Sequence, residues 1–124
     1  MMSTIVIIEE DTAMCALICE WLRGEGYRVL PRPMVDVGAE AAAPDADLVI
    51  ADLPNLRSSG AQAVWEVRRK YPHSQVIGLS TQLHLSLPGD SHLARRFGVR
   101  HLLAKPCSRD ELIDVVSHAI GVAG

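Results

Sequence analysis

Charged residues follow three apolar runs of the chain, at points where side chains could do chemistry. Glu9, Glu10 and Asp11 follow the first run, Asp52 follows the second, and Lys105 follows the third. Because the carboxyl ends of neighbouring parallel strands converge on one crevice, we expect these groups to meet there. Carboxylate oxygens suit a divalent cation, and an ammonium suits the charge of a phosphoryl group. The sequence therefore predicts an acidic pocket that holds one lysine.

Strands and helices must alternate to bring these residues together. Short runs rich in Val and Ile recur between longer segments of helical period, which is typical of a βαβ chain with a parallel sheet. The runs that form the first, third and fourth predicted strands are apolar almost throughout, which indicates that helices cover both faces of the sheet. The predicted strands are 4–8, 27–30, 47–52, 75–79 and 99–103.

Helix boundaries are predicted from apolar spacing, caps and breakers. The first helix should end at Gly24 or Gly26, and a capping box formed by Ser108 and Glu111 should begin the last helix. Between them we expect a short or irregular helix over 35–42, a helix over 61–70, and, after a long loop, a helix that begins near Asp90 or Ser91.

Composition favours one domain over residues 1–124. The chain is 48% hydrophobic and 22% charged, as expected of a soluble globular domain. Twelve basic residues against fifteen acidic ones give a net charge of −3, which argues against nucleic acid as a direct partner. The N-terminus lacks a basic region followed by a long apolar stretch, so we expect no membrane segment and a cytoplasmic protein.

The three cysteines cannot all pair with one another, which favours reduced thiols. Cys15 and Cys19 stand four residues apart on the first predicted helix. This spacing allows two interpretations, a metal site or small buried side chains. The second is favoured because no other cysteine pair accompanies them.

The pattern as a whole resembles the receiver domain of two-component response regulators, along nearly the entire chain. The resemblance implies a flavodoxin-like, doubly wound α/β fold with a five-stranded parallel sheet of order 2-1-3-4-5. Asp52 matches the phosphoacceptor of that family, and Ser80 matches its hydroxyl position. Lys105 and Pro106 match the family's lysine and the proline after it, whose peptide bond is typically cis. Asp52, Ser80 and Lys105 are therefore the expected catalytic residues.

The resemblance also implies a magnesium site in the same pocket. Mg²⁺ prefers near-octahedral oxygen ligation, and Glu10, Asp52 and the backbone carbonyl of Pro54 could supply three of the positions. Glu9 would act through a water molecule. Lys105 would pair with one phosphoryl oxygen, and the Ser80 hydroxyl would bond another.

Four positions differ from the usual receiver pattern. The residue that ligates the metal directly is usually Asp, whereas here Glu10 carries an extra methylene group. Thr81 stands where receivers have a small Ala or Gly, so we expect reduced access to Asp52. Leu56 stands where a proline often occurs. Leu102 occupies the aromatic switch position three residues before the lysine, so we expect altered switch coupling.

The sequence thus predicts a receiver that takes part in a phosphorelay and is not an enzyme. A histidine kinase or phosphotransfer protein would phosphorylate Asp52. The resulting change would reach an output protein or domain through the fourth helix, fifth strand and last helix. A homodimer is compatible with this role. The alternative is a pseudo-receiver, which binds proteins without phosphate. An unrelated flavodoxin-like enzyme is disfavoured, because no glycine-rich phosphate loop follows the first strand.

Overall fold

Strands and helices alternate over most of the described chain, as the apolar periodicity predicts. The computed structural model describes residues 3–32, 46–53, 55–83, 85–89 and 91–121. The strands are β1 (Thr4–Ile8), β2 (Arg28–Pro31), β3 (Leu48–Asp52), β4 (Gln75–Ser80), β5 (Leu87–Pro88) and β6 (His101–Ala104). The helices are α1 (Thr12–Gly24), α2 (Leu56–Lys70), α3 (His92–Phe97) and α4 (Arg109–Ile120). The predicted helix over 35–42 lies outside the described residues.

One sheet contains all six strands of the described ranges, in the order β2-β1-β3-β4-β6-β5. The first five strands in this order pair in parallel, and they correspond to the predicted order 2-1-3-4-5. The prediction of five strands missed β5, which pairs antiparallel with β6 at the edge. Two residues are too short to show an alternating pattern, and one of them is a proline. Proline thus occurs in both edge strands, as Pro31 in β2 and as Pro88 in β5.

Side-chain caps begin three of the helices. Asp11 accepts from the amide of Met14 at the start of α1, and Ser91 caps α3 near its predicted beginning. Ser108 accepts from the amide of Glu111 at 3.0 Å, as the capping box predicts for α4.

Helix α2 begins at Leu56, five residues before the predicted helix over 61–70. Gly60, expected to precede the helix, lies inside it. A Cβ at this position would stand 3.2 Å from the ring of Phe97 and 3.3 Å from Leu56. Close packing between α2 and α3 therefore overrides the weak helix propensity of glycine.

Two hydrophobic cores lie on opposite faces of the sheet, which confirms that helices cover both. Alternate residues of β1 divide between the cores, with Ile5 and Ile7 in one and Val6 and Ile8 in the other. The first core includes buried residues of α1 and α4, and the second includes buried residues of α2 and α3. The sheet is thus fixed from both sides, which holds its strand ends in place.

The three cysteines are free thiols, and all pack in or against the first core. Cys19 is buried and Cys15 is half-buried, which favours their interpretation as small packed residues. Within the described ranges, no group of three or more His, Cys, Asp or Glu side chains is arranged to hold a metal ion. None of the described helices has the length and apolar character needed to cross a membrane.

Candidate functional site

The sheet register places the expected functional residues at its carboxyl edge. Ile8 pairs with Ala51, so Glu9 and Asp52 follow neighbouring positions of β1 and β3. Ser80 is the last residue of β4 and pairs with Ala104, directly before Lys105. Residues separated by up to 96 positions in sequence therefore approach one another at this edge.

The Lys105 ammonium is shared between two carboxylates. Its Nζ donates to Glu9 Oε2 at 2.8 Å and to Asp52 Oδ1 at 2.9 Å. The side chains are largely withdrawn from solvent, with 12% of Lys105, 1% of Glu9 and 14% of Asp52 exposed. The structure thus forms the acidic pocket with one lysine that the strand ends predict.

The two carboxylates keep Lys105 charged. Burial lowers the pKa of Lys105, but hydrogen bonds to Glu9 and Asp52 and the negative charges of both outweigh it. The net result is that the pKa of Lys105 lies above its ordinary value. A fixed positive charge therefore stands beside Asp52 throughout the neutral range.

Glu9 makes two hydrogen bonds that the sequence does not predict. Its Oε2 binds Lys105 directly, and its Oε1 accepts from the amide of Asp11 at 3.1 Å. The sequence predicts that Glu9 acts on a metal through water, and it gives no sign that this carboxylate also holds the lysine. Glu10, the next residue, is exposed.

Ser80 is completely buried beside this ion pair. Its Oγ accepts from the amide of Gln82 at 3.0 Å, and its carbonyl accepts from the amide of Lys105 at 2.9 Å. Ser80 is therefore joined to the lysine through the backbone. The Gln82 amide is a partner that the sequence does not reveal. The side chain of Thr81, expected to limit access to Asp52, is exposed.

The chain after β6 is held on both sides of the lysine. The Lys105–Pro106 peptide bond is cis, as predicted. The amide of Ala104 donates to the hydroxyl of Ser86 at 3.0 Å, which ties the segment before β5 to the same strand. Both features fix the backbone that carries Lys105.

Leu102, at the position of the aromatic switch, is fully buried. A Cβ on the neighbouring Gly78 would come within 2.7 Å of Leu53 and 2.8 Å of Leu102. The two leucines therefore close over the glycine, and one of them, Leu53, directly follows Asp52. Because residue 102 is a leucine, this position has no aromatic ring that could move between buried and exposed positions.

The donor chemistry of the pocket fits Mg²⁺ in part. Glu9, Glu10 and Asp52 supply only oxygen donors, and three carboxylates exceed the single charge of Lys105. However, Glu9 is engaged by Lys105, and Glu10 is exposed. Pro54, the fourth expected ligand, lies outside the described residues. The metal ligands therefore remain a prediction.

Comparison with known proteins identifies the fold through structure rather than sequence. No family model matches the sequence, and no curated protein matches it. A response regulator from Thermotoga maritima superimposes with a TM-score of 0.75, at 18% identity, over 97% of this chain and 98% of the other. The protein has the fold of a response-regulator receiver domain.

Other solved structures share the receiver fold over nearly their whole length. A chemotaxis response regulator of Vibrio cholerae has a TM-score of 0.74 at 20% identity, covering 96% of this chain and 99% of the other. The Thermotoga maritima response regulator TrrA, solved in complex with Mg²⁺-BeF, has a TM-score of 0.67 at 25% identity, covering 95% and 99%. At these identities the likeness shows the fold, and the function must be argued from the pocket.

Proposed function

We propose that the protein is a receiver that accepts a phosphoryl group on Asp52 and acts by binding other proteins rather than as an enzyme. The observation that carries this proposal is the Lys105 ammonium, which lies 2.9 Å from Asp52 at the carboxyl edge of a receiver fold. A buried cation beside a carboxylate nucleophile can offset the charge of an incoming phosphoryl group.

The transfer step uses the two oxygens of Asp52 differently. Oδ1 accepts from Lys105, and the other oxygen would attack the phosphorus. A phosphorus–oxygen bond to Asp52 forms while the bond to the donor breaks, and the leaving group keeps the electron pair. Lys105 would then bond a phosphoryl oxygen, and the Ser80 hydroxyl, which still has a proton to donate, would bond another.

Magnesium belongs to this proposal as the expected cofactor. When bound, Mg²⁺ supplies positive charge to the phosphoryl oxygens. Its expected ligands are the carboxylates of Glu10 and Asp52 and the carbonyl of Pro54, with Glu9 acting through water. Glu9 also keeps Lys105 in position, since the two side chains lie 2.8 Å apart.

The expected partners follow from the same proposal. A histidine kinase or phosphotransfer protein would supply the phosphoryl group. An output protein or domain would bind the face formed by α3, β6 and α4. Leu102 is not aromatic and is packed against Gly78, so it cannot act as an aromatic switch. The signal would therefore have to reach this face without one.

Labelling by a small phosphodonor tests the proposal. With acetyl phosphate and ample Mg²⁺, the wild type should gain one phosphoryl group, detected as a mass increase by intact-protein mass spectrometry. Asp52→Asn should take none, because an amide cannot form the acyl phosphate. Asp110→Asn is the matched control, since the side chain of Asp110 is 95% exposed and lies on α4. A wild type that takes no label, or an Asp52→Asn variant that does, contradicts the proposal.

Two observations favour a second candidate, the pseudo-receiver. Glu10 is exposed, and Leu102 is buried at the switch position. A domain of this kind would bind its partner equally well without phosphate. Titration with Mg²⁺ and beryllofluoride separates the two candidates, because only a phosphorylatable receiver should bind both ligands at Asp52 and lose this binding in Asp52→Asn.

A further inference from the structure

Helices α2 and α3 contain most of the basic residues of the four described helices. They have six basic residues and one acidic residue, Glu66, whereas α1 and α4, on the other face of the sheet, have four acidic residues and two basic ones. The Glu66 carboxylate accepts from the side-chain amide of Gln62 at 3.2 Å rather than from an arginine. The face formed by α2 and α3 is therefore basic, although the chain has a net charge of −3.

Four exposed arginines gather where α2 and α3 end. Arg68 and Arg69 lie in the last turn of α2, and Arg95 and Arg96 lie in the last turn of α3. The guanidinium of Arg68 donates to the carbonyl of Gly98, the residue that caps α3, which brings the two helix ends together. Within the described ranges, none of these four arginines forms an ion pair with a carboxylate. Their positive charge is therefore available to a partner.

An exposed tryptophan lies beside these arginines. Trp65 is 53% exposed, and it precedes Arg68 by three residues and Arg69 by four, so the three lie on the same side of α2. The guanidinium of Arg69 lies over the indole ring, 5.0 Å from its centroid. The helix dipole favours cations in a last helical turn, but it gives no reason for a large ring to remain in solvent. Trp and Arg are the residue types that most often dominate binding energy at protein interfaces.

We propose that this part of the molecule binds an acidic segment of another protein. We call it the α2–α3 arginine surface, and it consists of Trp65, Arg68, Arg69, Arg95 and Arg96. A guanidinium bonds a carboxylate through two parallel hydrogen bonds, so Asp and Glu side chains of the partner would pair with the arginines. An apolar side chain of the same segment would cover the exposed indole ring.

The distribution of charge favours an acidic protein segment over a nucleic acid. A nucleic acid is a long polyanion, and the net charge of −3 repels it from the molecule as a whole. A short segment with a few carboxylates contacts only the basic face and avoids the acidic residues of α1 and α4. Charge complementarity of this kind speeds encounter and selects the partner.

The proposed contact is separate from the receiver function. Most of the α2–α3 arginine surface lies on α2, which is not part of the expected output face formed by α3, β6 and α4. Binding there requires no phosphoryl group on Asp52. Failure of this proposal would therefore leave the proposed receiver function untouched.

Fluorescence anisotropy of a labelled acidic peptide tests the proposal. The probe is a synthetic peptide of about twelve residues, made of Glu and Asp with one central Leu. At about 50 mM salt it should bind the wild type with a Kd below about 100 μM, and added salt should weaken this binding. The same peptide with Gln and Asn in place of Glu and Asp should bind at least about tenfold more weakly.

Variants assign the binding to the α2–α3 arginine surface. Trp65→Ala, Arg69→Gln and Arg95→Glu should each raise the Kd of the acidic peptide at least about fivefold. Arg109→Glu is the matched control, because it makes the same charge change as Arg95→Glu at an arginine of α4 whose side chain is 49% exposed. It should change the Kd by less than about twofold. If Arg95→Glu does not fold, Arg96→Glu takes its place.

Three outcomes would overturn the proposal. The first is a wild type that does not bind the acidic peptide at protein concentrations up to about 1 mM. The second is an equal rise of the Kd in Arg95→Glu and Arg109→Glu, which would mean that only net charge matters. The third is tighter binding of a single-stranded oligonucleotide of about twelve nucleotides, or of vesicles of anionic phospholipid, than of the acidic peptide.

Discussion

Glu9 and Glu10 are adjacent carboxylates with opposite surroundings. Only 1% of the Glu9 side chain is exposed, and it is paired with Lys105, whereas Glu10 is exposed. Glu9→Gln should therefore lower the free energy of unfolding by about 1–3 kcal/mol, because it weakens a charged hydrogen bond in a buried place. Glu10→Gln should change it by less than about 0.5 kcal/mol. Urea denaturation of both variants measures the difference, and equal losses would mean that the Glu9 ion pair contributes nothing.

Which residues gather at the site could be predicted from sequence, but their contacts could not. Asp52, Ser80 and Lys105 each end or follow a strand, and a parallel sheet brings such positions to one edge. The direct bond from Glu9 to Lys105 depends on how deeply each neighbouring carboxylate is buried. Tertiary packing buries the Glu9 side chain and leaves Glu10 exposed. The sequence alone cannot distinguish two adjacent glutamates in this respect.

Gly78, in the middle of β4, makes room for the large side chains beside it. A Cβ there would lie 2.7 Å from Leu53 and 2.8 Å from Leu102. Gly78→Ala should therefore destabilise the protein by about 1–3 kcal/mol through overpacking, measured as a lower urea midpoint. The loss in the Gly78→Ala/Leu102→Ala double variant should be smaller than the sum of the two single losses, because Leu102→Ala removes one of the two clashes. Additive losses in the double variant would contradict this account.

Gly24 provides the matched control for this glycine substitution. A Cβ at Gly24 meets no atom within 4 Å, so Gly24→Ala should have no overpacking cost. A similar loss of stability in both variants would indicate a general effect of replacing glycine.

His101, the first residue of β6, is half-buried and should make folding sensitive to acid. Burial lowers the pKa of His101 from 6.5, partly opposed by the charges of Glu111 and Asp114 on α4. The unfolded chain therefore takes up a proton at higher pH than the folded protein does. Stability should fall as the pH drops from 6.5 towards the lower folded pKa, and the His101→Gln variant should lose less over this window. Thermal melts at several pH values, with exposed His73→Gln as control, measure the effect.

Among the elements, the long strands could be predicted from sequence, but the two-residue strand β5 and the start of α2 could not. Every predicted strand overlaps an observed one, because continuous apolar runs identify buried parallel strands. Strand β5 has two residues and exists through its pairing with β6. The early start of α2 places Gly60 inside the helix, where it packs against Phe97 of α3. Neither feature is encoded in a local pattern.

For the molecule as a whole, sequence periodicity predicted two covered faces, and the structure adds their difference in charge. The alternation of Ile5 and Val6 in β1 assigns neighbouring residues to different cores. The −3 net charge of the chain conceals this difference, because α2 and α3 contain more basic than acidic residues, whereas α1 and α4 contain more acidic than basic ones. Only the assignment of each helix to a face reveals it.

The prolines at the two edges of the sheet bear on aggregation. An edge strand exposes unpaired backbone groups that can recruit a strand from another molecule, and a proline has no amide hydrogen to offer such a strand. Pro31 in β2 and Pro88 in β5 thus stand in the two outermost strands of the sheet, as far as the described residues form it. Replacing both by valine should leave the fold intact but shorten the lag time of fibril formation, followed by thioflavin T fluorescence. An unchanged lag time would mean that other features protect these edges from cross-β growth.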